Sequence, residues 1–210
     1  MLNKNEVILF QGDSITDCGR YREDGSSTGQ GYPLLVKAEL QYNRPADGLT
    51  ILNRGISGDR VVDLFARWRE DCLELKPTVI SILIGVNDIW QERRQCGVDS
   101  VKFERVYRMI LEETREKLPN ARLVLLTPFA LEAGATADKW TAYWLPELAA
   151  RTKAVENLAV SFDATLVSLQ PLFDKAAQDA PNEYWLFDGV HPTPAGHRLI
   201  AGAWLDAMCK

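Results

Sequence analysis

Five short apolar runs alternate along the chain with segments of helical periodicity, and this alternation restricts the fold more than any other feature. The runs occupy residues 7–11, 50–53, 78–84, 122–127 and 165–169. Strands separated by helices pair in parallel, with right-handed crossovers that place helices on both faces of the sheet. The pattern therefore predicts an α/β fold, a three-layer α/β/α sandwich around a five-stranded parallel sheet. We expect the strand order 2-1-3-4-5.

The intervening segments show the apolar spacing of amphipathic helices. The predicted helices span residues 32–40, 60–75, 103–118, 146–162, 172–180 and 194–208. Asp59 is a suitable N-cap for the second of them, because its carboxylate could accept a hydrogen bond from the first turn. An irregular aromatic stretch precedes the helix at 146–162. Its residues Trp140, Tyr143 and Trp144 could form a pocket wall, a core patch or a subunit contact.

Length and charge narrow the class of protein. A chain of 210 residues without a linker or repeat is predicted to form one domain, residues 1–210. The balance of 24 basic and 29 acidic residues argues against a nucleic-acid partner, and no apolar run reaches the roughly 20 residues that span a bilayer. The amino terminus lacks the apolar core of a signal peptide, which predicts a cytoplasmic location. The four scattered cysteines are accordingly expected to be free thiols.

Unusual polar loops follow the first three predicted strands. Ser14 lies in a Gly-Asp-Ser turn after the first strand, Gly58 lies in the loop after the second, and Asn87 follows the third. The carboxyl ends of parallel strands meet at one edge of the sheet, where such folds place ligands. A later loop holding Asp188 and His191 could close over the same edge.

These residue types together are suited to acyl transfer. Ser14 would be the nucleophile, His191 the general base and then the general acid, and Asp188 the carboxylate that orients the imidazole. Asp188 and His191 are three residues apart, so one turn can bring their side chains together. Three donors could face the oxyanion: the backbone N–H groups of Ser14 and Gly58 and the side-chain amide of Asn87.

Four blocks of sequence carry a family resemblance. Gly-Asp-Ser-Ile at 12–15, Gly58, Gly-Val-Asn-Asp at 85–88 and Asp-Gly-Val-His-Pro at 188–192 resemble, in order, the signature blocks of the SGNH (GDSL-like) hydrolases. The resemblance implies the flavodoxin-like SGNH hydrolase fold, serine esterase activity, the roles given above, and no metal or other cofactor. The serine lacks the second glycine of a G-x-S-x-G elbow, which disfavours an ordinary lipase-type α/β-hydrolase.

Longer stretches, at 12–20, 53–58 and 84–90, are similar to bacterial carbohydrate acetylesterases, including intracellular acetylxylan esterases. That similarity implies a small acetylated carbohydrate, such as a xylo-oligosaccharide, as the substrate. Trp90 and Trp185 lie close in sequence to the blocks and could border its pocket, whereas Asp13 could contact substrate or brace the loops. The second histidine, His197, is expected to be a surface or packing residue.

Two other functions remain open from the sequence. A lysophospholipase or thioesterase would use the same residues on a longer acyl chain. A carbohydrate-binding protein on this fold would bind sugar without hydrolysis. Under any of these functions the protein could form a homo-oligomer, and the sequence does not determine the oligomeric state.

Overall fold

The computed structural model describes residues 2–209, so Met1 and Lys210 at the ends of the predicted domain lie outside the described residues. A five-stranded parallel sheet forms its centre, in the order β2-β1-β3-β4-β5. The strands are β1 (Val7–Gly12), β2 (Thr50–Asn53), β3 (Val79–Leu83), β4 (Arg122–Leu126) and β5 (Thr165–Val167). The predicted fold class and strand order are both confirmed.

Ten α-helices are present within residues 2–209. They are α1 (Ser14–Asp17), α2 (Tyr32–Asn43), α3 (Val61–Ala66), α4 (Trp68–Asp71), α5 (Val86–Trp90), α6 (Ser100–Lys117), α7 (Leu145–Ser161), α8 (Gln170–Ala176), α9 (Asn182–Trp185) and α10 (Pro194–Cys209). Short 3₁₀ turns at Leu73–Leu75, Gln91–Arg94 and Gly134–Thr136 connect some of them. A π-helical turn, Trp140–Trp144, leads directly into α7.

Side chains alternate across the central strands and build two cores. Ile8 and Phe10 of β1 face the layer formed by α2, α8 and α10, whereas Leu9 between them faces the layer of α3, α4, α6 and α7. The same alternation in β3 and β4 buries apolar residues on both faces, as expected for a parallel sheet. The sheet is therefore held between two helical layers that leave its carboxyl edge to the loops.

One predicted helix, residues 60–75, is divided. It forms α3, α4 and a 3₁₀ turn, with Arg67 at the break between α3 and α4. The prediction that Asp59 caps this helix is wrong. The N-cap is Arg60, whose backbone N–H donates to Asp63 Oδ2 at 2.9 Å, while the Asp59 carboxylate instead accepts from Arg67.

The register of the strands aligns the predicted site loops. Gly12 at the end of β1 lies opposite Leu83 at the end of β3, and Phe10 lies opposite Asn53 at the end of β2. The three polar loops that follow these strands consequently leave the sheet side by side. This alignment assembles the site described next.

Candidate active site

Ser14 is the first residue of α1, directly beyond the end of β1. Asp13 caps this short helix by accepting a hydrogen bond from the Ile15 N–H at 3.0 Å. The Asp13 carboxyl is buried, and its Oδ2 has no hydrogen-bond partner within residues 2–209. Burial raises the pKa of Asp13 to about 7. This position favours the bracing role of Asp13 over contact with a substrate.

A continuous chain of hydrogen bonds joins Ser14, His191 and Asp188. The Ser14 Oγ lies 2.9 Å from His191 Nε2, and His191 Nδ1 lies 2.7 Å from Asp188 Oδ2. Ser14 and His191 are 177 residues apart in sequence, so only the fold brings them together. All three side chains are partly exposed, which leaves them accessible to a ligand.

The surroundings of Asp188 determine which imidazole nitrogen carries the proton. Burial raises the pKa of Asp188, but hydrogen bonds from the N–H groups of His191 and Val190 and from the imidazole outweigh this effect and lower the pKa below its ordinary value. The ionised carboxylate accepts from Nδ1–H. Nε2 is then free to accept the hydroxyl proton of Ser14.

The loop after β2 lies against α1, because the Ser57 N–H donates to Asp17 Oδ2 at 3.0 Å. Gly58 is exposed and has a φ of +89°, a conformation that favours glycine. Apart from its two chain neighbours, no described residue has a heavy atom within 4 Å of the position that a Cβ would take. The side-chain amide of Asn87 donates to the backbone oxygen of Asp59 at 3.1 Å, which joins the two loops. Gly55, by contrast, lies against the backbone of α1, where a Cβ would be 2.4 Å from the Asp17 nitrogen.

Two aromatic rings flank the imidazole. The Trp90 ring centroid lies 6.0 Å from that of His191, and the Phe187 ring stacks on His191 at 5.7 Å with an interplanar angle of 19°. Phe187 is 60% exposed, an unusual position for a large apolar ring. The sequence pointed to Trp90 but missed Phe187. Its place directly before Asp188 was the available signal.

The other aromatic residues that the sequence singled out pack against the protein core. Trp144 is buried and makes an edge contact with Trp90 at 5.7 Å, and the Tyr143 hydroxyl donates to the Ile89 oxygen at 3.0 Å. Trp140 packs half-buried against the same core, so these residues form a core patch that supports Trp90. Trp185 also packs against this core, with its indole nitrogen buried. Its predicted role in substrate binding stays a prediction.

Arg67 is a second residue that the sequence did not single out. Its guanidinium donates to Asp59 Oδ2 at 2.7 Å and to the backbone oxygens of Arg54 and Gly12 at 2.7 and 3.2 Å. Gly12 is the last residue of β1, and Arg54 and Asp59 belong to the loop after β2. Nothing in the spacing of the chain identified Arg67, because arginine on a helix is usually solvated.

Asp88 and His197 are buried polar residues near the site. The Asp88 carboxylate accepts from the Val61 N–H, which fixes the start of α3, and burial raises the pKa of Asp88 to about 8. His197 Nδ1 accepts from the Tyr32 N–H at 3.1 Å, and its Nε2 lies 3.3 Å from Cys18 Sγ. The predicted packing role of His197 therefore matches its surroundings.

Within 2–209, no group of three or more His, Cys, Asp or Glu residues is arranged to hold a metal ion. The four cysteines are free. No helix in the described part of the chain is long and apolar enough to cross a membrane.

The fold and the arrangement of Ser14, His191 and Asp188 define a class of hydrolase, and comparison with known proteins agrees. Residues 10–199 match the model of the GDSL-like Lipase/Acylhydrolase family. The chain belongs to that family, and it is a carboxylic-ester hydrolase.

Individual known proteins are similar to this chain over nearly its whole length. The chain is 32% identical to an acetylxylan esterase from Geobacillus stearothermophilus, over 97% of this chain and 94% of the relative. The crystal structure of Axe2, an acetylxylan esterase from the same organism, is 33% identical and superposes with a TM-score of 0.87, covering 98% of this chain and 94% of Axe2. A structure from Parabacteroides merdae described as a GDSL-like lipase is 41% identical with a TM-score of 0.94, covering 100% and 98% of the two chains.

Proposed function

We propose that the protein is a serine esterase that removes acetyl groups from xylo-oligosaccharides or related small sugars through an acyl-enzyme. The observation that carries this proposal is the hydrogen-bonded chain from Ser14 through His191 to Asp188. It supplies a nucleophile, a base in the correct tautomer and an orienting carboxylate.

The reaction follows from these positions. His191 Nε2 takes the hydroxyl proton as Ser14 Oγ forms a bond to the ester carbonyl carbon. The imidazolium, held by Asp188, then gives that proton to the leaving sugar oxygen as the C–O bond breaks. His191 Nε2 next takes a proton from water as the water oxygen bonds to the acetyl carbon. It gives that proton to Ser14 Oγ as the bond from Oγ to the acetyl carbon breaks, so acetic acid leaves, ionises to acetate, and the starting enzyme is restored.

The negative charge on the tetrahedral intermediate needs fixed donors. We assign this role to the N–H groups of Ser14 and Gly58 and to the Asn87 side-chain amide. The Ser14 N–H belongs to the first turn of α1, where N–H groups lack intrahelical acceptors. The exposed Gly58 offers its N–H without a side chain that would block the approach of an ester. Each such donor typically contributes about 3–4 kcal/mol to transition-state stability.

Two observations support an acetylated sugar as the substrate. The relatives named above include an acetylxylan esterase that is similar over nearly the whole chain. The exposed face of Phe187 beside His191 is an apolar surface on which the flat face of a pyranose ring could rest. We also propose a cytoplasmic location, in which the enzyme would meet short oligosaccharides rather than polymeric xylan.

Acetate release from acetylated xylo-oligosaccharides tests the proposal, with p-nitrophenyl acetate and decanoate as probes of acyl length. The native protein should prefer the acetyl ester. Ser14→Ala and His191→Ala should each lower kcat by about 10³-fold or more. Ser161→Ala, which removes an exposed hydroxyl on α7, is the matched control and should retain full activity.

The alternatives give different results. Preference for the decanoyl ester or for a lysophospholipid would favour the long-chain hydrolase. A carbohydrate-binding protein would hydrolyse none of the esters, and its sugar binding would be unchanged in Ser14→Ala. Circular dichroism of each variant shows whether lost activity reflects lost chemistry or lost fold.

A further inference from the structure

Arg67 connects the segments that carry all three assigned oxyanion donors. It lies at the junction of α3 and α4, and its side chain is 14% exposed. Its Nε donates to Asp59 Oδ2 at 2.7 Å, and its Nη2 donates to the Gly12 oxygen at 3.2 Å. Its Nη1 lies within 3.0 Å of three acceptors: the Arg54 oxygen, Gln11 Oε1 and Asp71 Oδ2.

These acceptors are close in sequence to the donors of the site. Gly12 is two residues before Ser14, and Asp59 directly follows Gly58. The backbone oxygen of Asp59 accepts from the Asn87 amide at 3.1 Å, so the contact to Asp59 also reaches the third donor. One guanidinium therefore links the end of β1 and the loop after β2 directly, and it reaches helix α5, which carries Asn87, through one further residue.

The chemistry of arginine suits this task. A guanidinium holds five N–H donors in one rigid plane, whereas a lysine ammonium is a point charge that cannot bridge the same set of acceptors. An oxyanion hole stabilises charge only if its donors are already in place when the charge develops. Displacement of such groups by about 1 Å can cost roughly 10²-fold in rate.

We propose that Arg67 is a positioning residue that sets the spacing of the Ser14, Gly58 and Asn87 donors. The inference rests on the function proposed above and extends it to a residue that touches no substrate. It predicts that substitution of Arg67 lowers kcat and leaves KM nearly unchanged, because misplaced donors weaken transition-state binding more than ground-state binding.

Arg67→Lys tests this inference, and Arg69→Lys is the matched control. Arg69 is in α4, the helix that begins directly after Arg67, and its side chain is 82% exposed. With p-nitrophenyl acetate as substrate, Arg67→Lys should lower kcat by about 10- to 100-fold with KM changed less than about threefold. Arg69→Lys should stay within about twofold of the native enzyme in both constants.

Asp59→Ala provides a second variant, since it removes the Nε contact while leaving Arg67 and the Asp59 backbone oxygen intact. Asp59→Ala should also lower kcat, by about tenfold. It tests the positioning role of Arg67 even if Arg67→Lys does not fold. A double-mutant cycle of Arg67→Lys with Asn87→Ala, or of Asp59→Ala with Asn87→Ala, should show effects on kcat smaller than the product of the single losses.

A purely structural role predicts a lower urea midpoint with kcat unchanged. That result in a folded Arg67→Lys, or strictly multiplicative effects in the cycle, would overturn the inference. Ser14→Ala, assayed in parallel, separates the two proposals. If Ser14→Ala is inactive while kcat of the folded Arg67 or Asp59 variant is native, only the inference about Arg67 fails. If Ser14→Ala still turns over, the proposed function fails.

Discussion

At the scale of single residues, the site depends on side chains with very different sequence signals. Ser14, Asp188 and His191 occur in short blocks with a recognisable order, so their proximity could be predicted. Arg67 has no such signal, and the only signal for Phe187 is its place directly before Asp188. A phenylalanine before an aspartate is ordinary in any chain, and only the fold shows that its ring lies exposed on an imidazole.

Phe187→Ala tests the contribution of that ring to substrate recognition. An aromatic contact of about 1 kcal/mol corresponds to a roughly fivefold loss in kcat/KM for acetylated xylo-oligosaccharides. Hydrolysis of ethyl acetate, whose leaving group has no ring to stack, should change less than about twofold. Both substrates are compared by continuous measurement of acetate release.

The control for Phe187→Ala is Tyr42→Ala, because Tyr42 is another exposed aromatic residue and lies on α2. It should leave both substrates unaffected. An equal loss on both substrates in Phe187→Ala would show that the ring acts on the His191 imidazole and not on the sugar.

At the scale of secondary-structure elements, the strands followed their apolar pattern closely, while the short helices at the sheet edge did not. The spacing predicted one helix over residues 60–75, but the chain breaks at Arg67, whose side chain is engaged by the strand-end loops. Helix α5, which carries Asn87, is only five residues long and falls below what periodicity can detect. Such elements are held by tertiary contacts.

Gly55→Ala tests how tightly α1 is held against the loop after β2. The added methyl would lie 2.4 Å from the Asp17 nitrogen and 2.9 Å from the Thr16 carbonyl carbon, so one backbone segment must move. We expect a loss of about 1–3 kcal/mol in the free energy of unfolding, measured by urea denaturation.

Gly25→Ala is the matched control for Gly55→Ala. There the nearest atom to the new methyl would be Arg54 Nη2 at 3.6 Å, an ordinary contact at an exposed position. Its urea midpoint should stay close to that of the native protein. Equal midpoints for the two variants would mean that the contact of Gly55 with α1 relaxes at no cost.

At the scale of the whole molecule, two carboxyl groups are buried between the sheet and the site loops. Burial raises the pKa of Asp13 to about 7 and that of Asp88 to about 8, and each ionised group would also repel the other. The unfolded chain releases these protons near pH 4. The folded protein therefore binds more protons than the unfolded chain between about pH 4 and 8.

This difference predicts that the two groups make stability fall as the pH rises through that interval. Each contributes a slope of up to about 1.4 kcal/mol per pH unit in the free energy of unfolding. Asp88→Asn should make the decline between pH 5 and 8 shallower, and urea denaturation at several pH values measures it. Asp138→Asn, at an exposed position, should leave the native slope unchanged.

His197 changes the free energy of unfolding with pH in the opposite direction to the two carboxyl groups, and it does so at lower pH. Burial lowers its pKa to about 4, so the folded protein resists protonation that the unfolded chain accepts near pH 6.5. Its contribution to the free energy of unfolding is present above pH 6.5 and is lost as the pH falls toward 4.

Because His197 also titrates, the pH slope of the free energy of unfolding in Asp88→Asn must be compared with that of the native protein at each pH. An identical slope in both would contradict the assignment to Asp88.

Local sequence carried enough information for the layered fold, because the periods of strands and helices depend on near neighbours in the chain. The short blocks at the strand ends were likewise sufficient to propose a nucleophile, a base and an orienting carboxylate. The break at Arg67 and the contact of Ser14 with His191 depended instead on contacts between segments tens of residues apart. No local pattern encodes such contacts, since they arise only when the sheet register brings the loops together at one edge.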